Sequence, residues 1–244
     1  MEYINQFNLI QEIVKGQKPD SRKLLAEIDG ERVMSTIERS KGGLPTPFSC
    51  SNEPKEEENF SQIPGADKRK LLKIYKKIRE SPEKQLAELQ ELKKRYPNVP
   101  AIYNYIGIAY AYSNQSEKYY NTIIETVKKF PHYLFGKTAL AEYYLKNNEH
   151  KKIPEIFDNK LEIYMHFPSS VKVFHTSEVR AFYLFIGTYY ARANKQARAL
   201  LCYSILEGID PNHLATRQLG DEIIQQEIKK FRRKVLKVHP EEEF

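Results

Sequence analysis

The chain has 244 residues, of which 41% are hydrophobic and 29% charged, with a formal net charge of +7 and a mean hydropathy of −0.64. That length allows one long domain or two small ones, and no run approaches the roughly 18 apolar residues of a spanning helix, so membrane insertion is not expected. Met1–Gln11 carries Glu2 and has neither a basic start nor an apolar run, which argues against a signal peptide. Cys50 and Cys202 make no disulfide framework and fit a reducing compartment, so the expected location is cytoplasmic.

Residues 1–40 read as short helices. Tyr3, Phe7, Ile10 and Val14 recur at helical spacing before Gly16, and Leu24, Leu25 and Ile28 follow an Asp20 or Ser21 N-cap before Gly30. Val33, Met34 and Ile37 suggest one more short helix. Residues 41–66 hold Pro45, Pro47, Pro54, Pro64 and the run Glu56–Glu58, a composition that buries little and reads as a linker. From Asp67 onward no strand-like alternation competes with the helical period, and prolines punctuate helix after helix.

Charge is concentrated early in that helical region. Residues 67–97 hold eleven Lys or Arg against five Asp or Glu. In Asp67–Arg79, at about 100° per residue, Leu71, Ile74, Tyr75 and Ile78 share one face, and Arg69, Lys70, Lys73, Lys76 and Lys77 share the other. Such a basic stripe suits a solvated face, or a polyanion such as nucleic acid. Single-stranded nucleic acid would want interleaved aromatic residues, and the one present, Tyr75, falls on the apolar side. The run Lys229–Lys237 is also basic, and proximity to a helix C-terminus is reason enough for it.

The punctuation is periodic. Pro97 and Pro131, Gly107 and Ala141, and Tyr110 and Tyr144 are all 34 residues apart, a spacing that means stacked helix–turn–helix units. Residues 100–133 place Tyr103, Ile106, Gly107 and Tyr110 on a first helix, then Tyr119, Ile123, Thr126 and Pro131. Residues 180–213 repeat this with Tyr183, Ile186, Gly187, Tyr190, Ala199, Tyr203, Leu206 and Pro211. Residues 134–167 keep Leu140, Ala141, Tyr144 and Phe157 but have Lys137 in place of the first aromatic, and 66–99 retains Leu72, Leu89, Leu92 and Pro97. On these positions the chain resembles a tetratricopeptide-repeat protein over about 66–213. Glycine inside a helix costs about 1 kcal/mol against alanine, so Gly107 and Gly187 are expected where the paired helices approach closely. From Ala141 to Gly187 is 46 residues, twelve more than one period; an extended second helix and a longer connection, Val171–Val179, are expected to house them.

The resemblance implies an all-α, right-handed solenoid of helical hairpins over 67–211, preceded by the short helices and the linker. The helix 212–238 is expected to cap it with Leu214, Leu219, Ile223, Ile224, Ile228, Phe231 and Val235, and 239–244 to be an acidic tail. In that family the first helices line a concave groove that takes a peptide. Carried over, the groove positions include Asn104, Ile108 and Tyr112, then Phe135, Thr138 and Glu142, then Leu184, Thr188 and Arg192, with Tyr112 and Phe135 as the aromatic anchors. The carboxylate clamp of chaperone-tail binders matches only at Lys70 and is not expected. There is no HExxH, CxxC, phosphate loop or GxSxG elbow. The expectation is a non-enzymatic adaptor or scaffold with no cofactor or metal, binding a protein or peptide partner. The alternative is nucleic-acid binding through Arg69, Lys70, Lys73, Lys76 and Lys77.

Overall fold

A computed structural model describes residues 48–53 and 59–238. The short helices expected over 1–40, the start of the 41–66 segment and the tail 239–244 lie outside the described residues. The described part is mostly α-helical, with one small two-stranded sheet. It forms two compact units: one contiguous, within 51–169, and one that joins 48–50 to 170–238.

The contiguous unit runs through α1 (Gly65–Lys77), α2 (Pro82–Arg95), α3 (Pro100–Tyr112), α4 (Ser116–Lys129), α5 (Leu134–Lys146) and the single turn α6 (Ile153–Ile156), each long helix packing on the next. Pro82 and Pro100 open their helices, where the missing N–H is not needed. Leu71, Ile74, Ile78, Leu89, Leu92 and Ile102 are sealed in one core. Asp67 ties α1 to α2 by accepting from the Tyr96 hydroxyl at 2.6 Å and from Arg95 at 2.7 Å. The Tyr96 hydrogen bond, with Arg95 beside it, holds the Asp67 carboxyl below its ordinary range.

The stretch after α5 departs from the expected extended helix. It breaks into a 3-10 turn (His150–Lys152), α6, and a second 3-10 turn (Ile163–His166). Asp158 and Asn159 both take left-handed backbone, with φ of 53° and 58°, which ends helical propagation. Asp158 thereby meets Lys137, which is buried at the position where its counterparts are Tyr103 and Tyr183. The lysine Nζ donates to Asp158 at 2.6 Å, and that bond holds the carboxyl below its usual value. An aliphatic stem with an ion-paired end does the packing that the aromatic ring does elsewhere.

In the discontinuous unit, β1 (Ser49–Ser51) pairs with β2 (Val173–His175), with the Ser49 N–H donating to the Lys172 carbonyl at 2.8 Å. Three helices follow: α7 (Thr176–Arg192), α8 (Gln196–Ile209) and α9 (Leu214–Val238). The segment read as a free linker is not one along its whole length. Phe48 is buried edge-on against Phe174 (centroids 5.4 Å apart) and stacked on Tyr183 at 6.1 Å. In the other unit, Ile63 is buried in the core with Leu71. The expected long connection Val171–Val179 is also shorter, because His175 caps α7. Its Nδ1 accepts from the Ser177 N–H, while Glu178 accepts from the His175 N–H, a reciprocal capping box.

The helix α9 packs on both α7 and α8 and buries Leu219, Ile223 and Ile224. Leu214, counted on the buried face from sequence, is 58% exposed because it is the first residue of the helix. The side chains of Phe231 and Val235 lie outside the described residues.

One repeating device was not anticipated. The helices α3, α5 and α7 each end in an asparagine with positive φ: Asn114 (58°), Asn148 (60°) and Asn194 (57°). In each, the asparagine N–H returns to the carbonyl three residues back (Ala111, Leu145, Ala191). The next N–H reaches five back, to Tyr110, Tyr144 and Tyr190. This is a Schellman ending three times over. Replacing Asn148 with alanine is expected to cost about 1 kcal/mol, since a Cβ is penalised in left-handed backbone, whereas glycine should cost nothing. Urea denaturation of the two variants checks this; equal losses would show that the side chain, not the backbone, matters.

Candidate functional site

Helix α3 carries Asn104, Ile108 and Tyr112 at successive four-residue steps, so they share one stripe. Asn104 is half-buried, Ile108 leans on the core, and Tyr112 is 49% exposed. Beside that stripe, α1 adds residues that the sequence reading had placed elsewhere. Tyr75 is 47% exposed and its ring lies tilted against Tyr105 at 5.0 Å between centroids, and Leu72 is 51% exposed. Just beyond α1, the Arg79 guanidinium lies over the Tyr112 ring at 5.8 Å. Tyr75 therefore belongs to the surface rather than to the buried face. It sits at the edge of the apolar arc, against Tyr105 but still open to water.

The basic face of α1 is as expected in outline. Arg69, Lys73, Lys76 and Lys77 are exposed, while Lys70 is half-buried and 3.5 Å from Glu88. Leu72 and Tyr75 rise among these cations, so the outer surface of α1 mixes apolar and positively charged groups.

The remaining groove positions are less available. Phe135 is half-buried, edge-on to Tyr133 at 5.9 Å, in a cluster with Tyr103 and Phe130. Thr138 is buried and its hydroxyl donates to the Phe135 carbonyl at 3.1 Å, so it offers nothing to a partner. Glu142 is half-buried and paired with Lys146 at 2.6 Å. Leu184, Thr188 and Arg192 lie on α7, in the other compact unit. Thr188 is buried there, and Leu184 is partly exposed. Arg192 is held by Glu222 of α9 through Nε at 2.8 Å and Nη2 at 2.9 Å. A single-helix register cannot reveal a carboxylate thirty residues downstream, which is why Arg192 reads from sequence as a groove residue.

The aromatic and cationic groups thus gather on α1 and α3 of the contiguous unit: Leu72, Tyr75, Arg79 and Tyr112, flanked by Ile108 and Asn104. A single exposed apolar side chain is ordinary, but apolar groups gathered in one patch mark interaction surfaces. Tyrosine suits such a place, because its ring supplies contact area at low entropic cost while its hydroxyl stays wet. Among the described residues, no helix is long and apolar enough to cross a membrane, and no group of three or more His, Cys, Asp or Glu side chains could hold a metal ion. Comparison finds no matching family model, no matching curated protein and no matching solved structure for this chain.

Proposed function

We propose that this chain is a non-enzymatic adaptor of the tetratricopeptide-repeat type, which binds a partner polypeptide on its first helices. The observation that carries the reading is the exposed pair Tyr75 and Tyr112, each beside an arginine or lysine on adjoining first helices. Support for the repeat architecture comes from the 34-residue period and the three equivalent asparagine endings. The partner segment carries apolar or aromatic residues for Leu72, Tyr75 and Tyr112, and acidic residues for the lysines of α1. Buried aromatic anchors dominate interface energies, so truncating two of them should weaken binding by at least about a hundredfold. The test is affinity capture with wild type and with a Tyr75→Ala/Tyr112→Ala variant, followed by titration of the proteins that only wild type retains. A partner set identical for both chains would sink this assignment.

A second reading has a specific observation in its favour. With Tyr75 on the surface between Lys73 and Lys76, α1 has both the cations and the stacking ring that single-stranded nucleic acid uses. The two readings separate on salt. Oligonucleotide affinity falls steeply and linearly on a log–log plot, because each neutralised phosphate releases counterions; peptide affinity at aromatic anchors changes little.

A further inference from the structure

The last turn of α7 and the middle of α9 enclose a pocket of about 270 Å³, lined by Arg192, Asn194, Gln226, Lys229, Lys230 and Arg233, with Ala191 as the one apolar residue among those lining it. Four cations converge there. Two are answered: Glu222 grips Arg192, with Gln226 donating to the same carboxylate at 2.8 Å, and Glu227 lies 3.4 Å from Lys230. Lys229 and Arg233 stand one turn apart on α9; among the described residues neither forms an ion pair within 4 Å, although the Lys229 charge also bears on Glu222. Like charges at this spacing repel each other, so the arrangement is unfavourable unless an anion sits between them.

Two structural explanations for these cations fall short. The dipole of α9 acts within its last turn, but the helix continues to Val238, five residues beyond Arg233. The C-terminal carbonyls of α7 need no cationic cap either. Those of Tyr189, Tyr190 and Ala191 already accept from the backbone N–H groups of residues 193–195.

We propose that this pocket binds a phosphate monoester, carried either by a small molecule or by a phosphorylated side chain. A monoester holds about −1.5 to −2 charges at neutral pH, which offsets the excess of the four lining cations over the two carboxylates beside them, Glu222 and Glu227. Arginine and lysine are the usual phosphate donors, and the amides of Asn194 and Gln226 add neutral ones. The volume falls below the roughly 300–1,000 Å³ of sites for drug-sized ligands, and no aromatic ring lines it for a nucleobase to stack on.

The experiment is a titration of the full chain with inorganic phosphate, glycerol 3-phosphate and a blocked phosphoserine tripeptide, followed by ³¹P and amide NMR. Saturable binding of phosphate is expected, with shifts concentrated in residues 191–195 and 226–233. In Lys229→Gln/Arg233→Gln the affinity should drop by at least about tenfold, the loss expected when charge-assisted hydrogen bonds are removed. The charge-matched control Lys84→Gln/Lys128→Gln should stay within about twofold, since both lysines are exposed and neither lines the pocket. Tighter binding of the tripeptide points to a phosphorylated protein, and tighter binding of glycerol 3-phosphate to a metabolite. Absence of saturable binding, equal affinity in the pocket variant, or shifts confined to other regions would each overturn the proposal. The wild-type shift map decides the matter even if the pocket variant does not fold.

Discussion

Ending the chain at residue 211 is expected to turn a folded protein into one that aggregates or melts far below the full-length chain. The truncation removes α9 and with it Leu219, Ile223 and Ile224, all buried against α7 and α8. Each such side chain contributes roughly 1.5–3 kcal/mol on burial. Together they approach the roughly 5–15 kcal/mol of a typical domain's whole stability. Their partners on α7 and α8 would become an exposed apolar face in the same step. The Thr216 hydroxyl, which donates to the Asp210 carbonyl at 2.8 Å just past the end of α8, would be lost as well. Size-exclusion chromatography and thermal melting of the truncated chain check this. A monomer of unchanged melting temperature would mean that α9 is not part of the folded core.

Alanine at Gly187 and alanine at Gly107 are expected to act in opposite directions, although the two glycines take the same place in the sequence pattern. A Cβ at Gly187 would lie 2.5 Å and 2.9 Å from the two methyl carbons of Leu219 and 3.0 Å from the Cys202 Cβ. Leu219 is fully buried and cannot swing away, so overpacking should cost about 1–3 kcal/mol. At Gly107 the nearest atoms are the Tyr119 ring at 3.8 Å and a Thr122 methyl at 3.9 Å, which is ordinary contact. There the gain in helix propensity should prevail, stabilising the chain by about 0.5–1 kcal/mol. Urea unfolding of each variant measures both signs. Adding Leu219→Ala should shrink the penalty at 187, because the two side chains compete for one space. If both alanines destabilise alike, close approach is common to the two sites and this account fails.

That contrast shows what periodicity conveys and what it leaves out. Recurrence marks the chain as helical, since proline and apolar spacing are local signals, and it sets the two glycines in the same place of the sequence pattern. It cannot reveal that the tight contact at Gly187 comes mainly from α9, a helix outside the repeat, nor that Gly107 faces a tyrosine with room to spare. Tyr75 was misplaced for a similar reason: helical angle puts it at the edge of the apolar arc, and only the neighbouring helix decides whether that edge is covered. Phe48 stands just before a strand only three residues long and its partners lie far along the chain, so no local signal decides whether it joins a core. The asparagines at 114, 148 and 194 are different. Their positions just past each first helix are legible in the sequence, and the left-handed preference of asparagine would have located those helix ends. In the candidate site, the stripe Asn104, Ile108 and Tyr112 was readable from one helix, whereas Leu72 and Arg79 required two.

The pairing of β1 with β2 has a consequence for the order in which the protein is made. The Ser49 hydroxyl and the Lys172 carbonyl meet across 123 residues, and the whole contiguous unit is synthesised in between. At roughly 5–20 residues per second of translation, Phe48 emerges several seconds before Phe174 and Tyr183 exist to receive it. The contiguous unit can complete its own core during that interval, while an aromatic residue upstream waits uncovered. Closure of the second unit is therefore a late event in biogenesis, because Phe48 cannot be covered until Phe174 and Tyr183 have been made.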